Sequence, residues 1–199
     1  MSYDDTEAAR LYRLAAEQGH ADAQFCLGVM FQNSLGVAQD DAEAARLYRL
    51  AVDQGHAGAQ FSLGLMFTEG RGPCSEAFGV GFDERLREGV RLFRLAAAQG
   101  HAAAQNRLGI AFEYGEGVAQ DQSEAVRWYR LAALHGSASA QESMGTMHEN
   151  GSTSIHGIAQ DTAEAIRWYR LADAQNTRCV TSRLNVLEPK PSVEDSDEY

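Results

Sequence analysis

The stretch Glu7-Ala8-Ala9-Arg10-Leu11-Tyr12-Arg13-Leu14-Ala15-Ala16-Glu17-Gln18-Gly19-His20 returns four times along the 199-residue chain, beginning at Glu43, Glu88, Glu124 and Glu164. The spacings are 36, 45, 36 and 40, so a unit of 36 residues carries insertions in its second and fourth copies. Each full unit continues with Ala-x-Ala-Gln (ending at Gln24, Gln60, Gln105 and Gln141). A Leu/Met-Gly pair follows, at Gly28, Gly64, Gly109 and Gly145. A period of this length means one supersecondary unit that buries its apolar face only against a copy of itself. The copying also explains the composition: 32 alanines, and 16 arginines against the single lysine Lys190.

Both halves of the unit read as helices. Asp4-x-x-Glu7, Asp40-x-x-Glu43, Asp121-x-x-Glu124 and Asp161-x-x-Glu164 have the spacing of capping boxes. At 100° per residue, Ala8, Leu11, Tyr12, Ala15 and Ala16 share one arc, the buried one. Gly19, Gly55, Gly100 and Gly136 suit the left-handed position after a helix, and Asn176 stands there in the fifth copy. His20, His56, His101, Ser137 and Thr177 then predict an N-cap for the second helix. A glycine inside a helix costs about 1 kcal/mol against alanine. The recurrence of Gly28 and its equivalents therefore predicts a close approach there, with the Ala15-Ala16 pair of the partner helix as the expected neighbour.

The pattern A-x-x-W-Y-x-x-A-A-x-x-G-x-A-x-A-Q-x-x-L-G, closing on G-x-G-V-x-x-D, resembles the Sel1-like repeat, a relative of the tetratricopeptide repeat. Trp128-Tyr129 and Trp168-Tyr169 match its aromatic pair; Leu11-Tyr12, Leu47-Tyr48 and Leu92-Phe93 match it in relaxed form. Gly70-x-Gly72 and Gly115-x-Gly117-Val118 match its closing glycines. Ser34 and Arg85 depart from the pattern, at a closing Gly and a cap Asp. The resemblance implies an all-α, right-handed α-solenoid of antiparallel helix pairs, about four and a half repeats long. The expected units are 4–39, 40–84, 85–120, 121–160 and 161–187 (a capping half), followed by a disordered acidic tail, 188–199.

Charge narrows the partners. With 17 basic and 28 acidic side chains, the net charge is −11, which counts against nucleic acid and anionic membranes. No apolar run reaches the ~18 residues of a membrane span, and the polar N-terminus does not resemble a signal peptide. Cys26, Cys74 and Cys179 form no metal-spaced pair, and free thiols suit a reducing compartment, so a cytoplasmic location is expected. The chain has no nucleophile elbow, P-loop or zinc-protease motif. Neither a cofactor nor a metal is expected. His20, His56 and His101 lie one repeat apart and cannot converge on one atom; His148 and His156 lack ligand-spaced partners.

The candidate functional residues are arginines. Arg10 and Arg13 recur as Arg46 and Arg49, Arg91 and Arg94, Arg127 and Arg130, Arg167 and Arg170, opposite the buried arc. One reading is intrahelical ion pairing, such as Arg13 with Glu17 and Arg49 with Asp53. The other is a basic ladder that forks onto an acidic peptide, on the surface that the resemblance places on the concave side. The chain's own tail is a further possible occupant. Phe78-Gly79-Val80-Gly81-Phe82 reads as a loop folded on its own rings, or else a contact loop. The N-terminal end lacks a polar cap, which predicts self-association or membership of a longer repeat protein. The expected function is a non-enzymatic adaptor; the alternatives are an enzyme of the repeat-containing β-lactamase type or a fragment of a longer protein.

Overall fold

The computed structural model describes residues 3–74, 81–151, 158–175 and 178–188. Among these, ten α-helices follow one another: α1 (Tyr3–Glu17), α2 (Ala21–Asn33), α3 (Asp41–Asp53), α4 (Ala57–Glu69), α5 (Phe82–Ala98), α6 (Ala102–Tyr114), α7 (Gln122–Leu134), α8 (Ala138–Asn150), α9 (Thr162–Asp173) and α10 (Arg178–Leu187). Each helix packs on its chain neighbours, giving the stacked antiparallel pairs of an α-solenoid. Both insertions fall where a second helix passes to the next first helix. Phe78–Val80, Ser152–His156, Asn176 and Thr177 lie outside the described residues, as does the tail beyond Glu188.

The turn inside each pair is set by glycine and the residue after it. Gly19, Gly55, Gly100 and Gly136 have φ between +82° and +89°. The amide of the glycine reaches back to the first helix, and the next amide reaches one residue further: Gly100 to Ala97 O and His101 to Ala96 O, for example. This double closure is a Schellman motif. The residue that completes it also caps the second helix. His56 and His101 accept the Ala59 and Ala104 amides on Nδ1, and Ser137 accepts the Ala140 amide. His20 has the cap backbone geometry without the side-chain bond.

The glycine within each second helix is covered by a neighbour other than the expected one. A Cβ on Gly28 would lie 2.7 Å from the ring of Tyr48, in the first helix of the next unit. Gly64 meets Phe93 at 2.7 Å, Gly109 meets Tyr129 at 2.7 Å, and Gly145 meets Tyr169 at 2.5 Å. The Ala15-Ala16 pair is therefore not what the glycine makes room for. A flat ring from the following repeat occupies that space, and all four rings are buried. Tyr48 donates to Gln32 Oε1 at 2.7 Å and Tyr169 to Glu149 Oε2 at 2.7 Å. Tyr129 bonds Glu113 in the same way. Where the ring is Phe93, with no hydroxyl, the residue at that position is Thr68.

A second buried link runs between the same helices. Gln24, Gln105 and Gln141 donate to Ala16 O, Ala97 O and Ala133 O within their own units. Their Oε1 atoms accept from the end of the next unit's first helix: from Gln54 at 2.8 Å, His135 at 2.8 Å and Gln175 at 2.9 Å. Gln60 accepts from Gln99 at 2.8 Å. Gln24, Gln105 and Gln141 each thus bridge three helix ends with both polar atoms of a buried amide satisfied.

Two departures from the repeat are absorbed locally. Ser34 takes the left-handed conformation of a closing glycine (φ +59°) and returns its amide to Met30 O. Arg85 does not stand at the cap: α5 begins a turn earlier, at Phe82, with Gly81 as N-cap, and Arg85 is buried against Gly70 with its guanidinium over Phe82. The third unit's first helix therefore starts ahead of the expected boundary at 85. Asp4 likewise lies inside the first turn of α1 and is not its cap.

The ring-over-glycine contact predicts that Gly109→Ala costs about 1–3 kcal/mol in urea denaturation, since a buried ring has nowhere to move. Gly81, with nothing within 4 Å of an added Cβ among the described residues, should accept Ser without loss. A second expectation concerns pH. Burial pushes the His101 pKa below its ordinary 6.5, so the unfolded chain takes up the proton more readily. The stability tied to neutral His101 is present above about pH 6.5 and is lost as pH falls through the lower folded value. Denaturation midpoints at pH 7.5 and 5.5 should differ less for His101→Ser than for the unaltered chain.

Candidate partner-binding face

Two positions of each first helix carry arginine, and their surroundings differ. At the first position every guanidinium is held by the glutamate three residues earlier: Arg10 by Glu7 at 2.7 Å, Arg46 by Glu43 at 2.6 Å, Arg91 by Glu88 at 2.6 Å, Arg127 by Glu124 at 2.6 Å and Arg167 by Glu164 at 3.0 Å. In the first three the pair is a two-pronged fork through Nε and Nη2. All of these glutamates except Glu88 belong to the expected capping boxes, and the boxes do not close. The Asp half works, with Asp40 and Asp121 each accepting two amides and Asp161 one. However, the cap amides of Asp40, Asp121 and Asp161 already donate to Phe31 O, Phe112 O and His148 O of the preceding helix. Glutamate has nothing left to bond there and turns to the arginine.

At the second position the expected pairs do not form. Among the described residues no ion pair joins Arg13 to Glu17 or Arg49 to Asp53, and Arg13, Arg49, Arg94 and Arg130 have no carboxylate partner. Arg13 and Arg94 lie over the rings of Phe31 and Phe112, 6.0 and 5.8 Å from the centroids. Arg170 alone is neutralised, by Glu188 at 2.8 Å. Six of the ten candidate arginines are therefore balanced by a carboxylate, and four have none among the described residues.

Beside this second column stands a column of leucines that is absent from the sequence-derived candidates. Leu14, Leu50, Leu95, Leu131 and Leu171 occupy one repeat position, and their relative exposures are 46, 38, 40, 36 and 51%. The signal was present in the repeated Arg-Leu pair, but leucine in an amphipathic helix is ordinarily assigned to the core. Between α1 and α3 the face dips into a cleft of about 380 Å³ reached by Arg13, Glu17, Glu43, Arg46 and Leu50.

The opposite side of the solenoid holds a cleft of about 610 Å³ between α6 and α8, with Ile110, Tyr114, Glu142 and Met147 among its walls. Elsewhere successive second helices are bridged by stacked rings, Phe25 on His56 at 4.6 Å and Phe61 on His101 at 4.7 Å. At the next step Asn106 and Ser137 stand at these two positions. No group of three His, Cys, Asp or Glu side chains that could hold a metal occurs among the described residues. No described helix is long and apolar enough to cross a membrane.

The Sel1 repeat family model matches residues 1–20, 21–56, 57–101, 102–137 and 138–176. The chain belongs to the Sel1 repeat family. From residue 21 onward each matched segment joins a second helix to the first helix that follows it, the pair locked by ring and glycine. A Sel1 repeat protein from Oxalobacter formigenes has the same fold, with a TM-score of 0.75 and 29% identity, over 90% of this chain and 66% of that one. A protective antigen present in uropathogenic Escherichia coli strains, displaying an SLR fold, aligns with a TM-score of 0.54 and 28% identity over 94% of this chain and 45% of that one. An immunity protein from Pseudomonas aeruginosa shares the fold at 21% identity and a TM-score of 0.57, covering 86% of this chain and 59% of its own. The chain spans less than two thirds of the length of each. No curated protein matches it.

Exposed three-residue ion pairs contribute little to stability, about 0.3–0.5 kcal/mol each. Replacing Arg46 or Arg127 with Gln, or Arg94 and Arg130 together, should therefore leave the thermal midpoint within about 2 °C of the unaltered chain, as read by circular dichroism.

Proposed function

We propose that this chain is a non-enzymatic scaffold that holds a partner protein on the exposed face of its first helices, by an acidic segment that also carries apolar side chains. The observation that carries this reading is the pairing of two columns at one repeat period: arginines with no carboxylate partner among the described residues at Arg13, Arg49, Arg94 and Arg130, and exposed leucines at Leu14, Leu50, Leu95 and Leu131. Guanidinium groups in a row fork onto successive carboxylates, and the leucine beside each one offers apolar area that water gives up on contact. The Glu-paired arginines Arg10, Arg46, Arg91, Arg127 and Arg167 border this strip as balanced charge. The overall excess of acid fits the same picture, since it opposes binding of nucleic acid while one local strip remains basic.

A fluorescein-labelled peptide of alternating Glu and Leu provides the test, with a Gln–Leu peptide of equal length as control. Arg94→Gln combined with Arg130→Gln should weaken capture of the acidic peptide at least tenfold, and Leu95→Ser with Leu131→Ser should weaken it several-fold. The control peptide should bind both variants and the unaltered chain equally weakly. Equal affinity of all three proteins for the acidic peptide would overturn the reading.

A further inference from the structure

We infer that the acidic segment 189–199 of this same chain is an internal occupant of the arginine–leucine strip and competes there with an external partner; this rests on the reading above. The anchor is the carboxylate that ends the described chain. Glu188 comes directly after α10 and forms an ion pair with Arg170, through Nη2 at 2.8 Å. Arg170 is the last member of the column that continues through Arg130, Arg94, Arg49 and Arg13. The chain therefore leaves its last helix with a carboxylate already seated on the final rung of the strip, and that rung is the one member of the column that is neutralised.

The segment beyond Glu188 has the composition the strip selects. Residues 189–199 carry Glu194, Asp195, Asp197 and Glu198 against the single Lys190, with Val193 directly before the acids. Eleven residues span at most about 36 Å. Neighbouring first helices stand about one helix diameter apart, roughly 10 Å. Glu194 and Asp195, six and seven residues past the anchor, are thus within reach of Arg130 and Arg94. Val193, five residues past the anchor, has the length of chain to reach Leu131. Pro189 and Pro191 favour an extended first step, which suits a segment that runs along a surface. A tethered occupant acts at an effective concentration of order 1 mM. Even a weak intrinsic affinity, with a Kd of order 100 μM, then lowers the apparent affinity for a free competitor about tenfold.

The test uses a fluorescein-labelled peptide with the sequence of residues 188–199 and, separately, the alternating Glu–Leu peptide. The proteins are the full chain, a chain ending at Glu188, and a full chain with Glu194→Gln, Asp195→Asn, Asp197→Asn and Glu198→Gln. The neutralised chain keeps every residue's backbone, so it reports on charge even if truncation disturbs α10. Both altered chains should bind each peptide about tenfold more tightly than the full chain, and Arg94→Gln with Arg130→Gln should abolish that gain. If all three proteins bind the Glu–Leu peptide with equal affinity, the tail does not occupy the strip and the inference falls while the scaffold reading stands. If none of them binds either peptide, both fall.

Discussion

The contact on which the stack depends is a flat ring laid over a helix with no side chain beneath it. Tyr48, Phe93, Tyr129 and Tyr169 each rest on a glycine of the preceding unit at a distance no Cβ would permit. Close approach of two helices concentrates dispersion contacts and excludes water from the backbone on both sides. The glutamine bridge a few residues away fixes the same pair at its other end, because a buried amide that lost either partner would be left unsatisfied. Together the ring and the bridge set the rotation and the height of one unit on the next. The structural unit is therefore a second helix with the first helix that follows it, half a period out of step with the stretch that is easiest to see in the sequence.

Much of this was legible in the sequence. The helix boundaries follow from Gly19, Gly55, Gly100 and Gly136, because only a left-handed residue closes a Schellman turn. The capping by His56, His101 and Ser137 follows from the exchange of acceptor side chains at one position. Periodicity identifies the glycine at Gly28 as a close approach, yet it gives only the angular position of a residue on its own helix. Which neighbour comes close is a property of the stack, and so the within-unit Ala15-Ala16 pair was expected where the next unit's Tyr48 is found. The glutamine bridge is opaque for the same reason: Gln24 and Gln54 are thirty residues apart, and nothing local to either reveals the other.

The arginine columns were legible as a pattern and not as an energy. A wheel places Arg10 and Arg13 on one face, but it cannot say which of the two meets a glutamate. The pairing is the same in all five copies whether or not a cap Asp precedes it: Glu88 meets Arg91 in the unit where Arg85 stands at the cap position. In three units the cap amide is also taken by the preceding helix, as the Asp40 amide is by Phe31 O, so Glu43 has no amide to return to and neutralises Arg46. The glutamate reaches the arginine three residues on, and the arginine six residues on lies beyond it.

The ring and the glycine also make the first and last described helices unlike each other. At one end Tyr12 and Leu11, whose counterparts Tyr48 and Leu47 are buried, stand 39% and 53% exposed, a ring without a helix beneath it. At the other end α10 is a second helix, and Asn185 occupies the place of Gly28, Gly64, Gly109 and Gly145. If copies met end to end, the Tyr12 ring of one would face an asparagine side chain where it needs bare backbone. A repeat protein whose ends were true complements would polymerise into an open filament. In this chain Asn185 puts a side chain at the place that glycine holds in all four internal junctions.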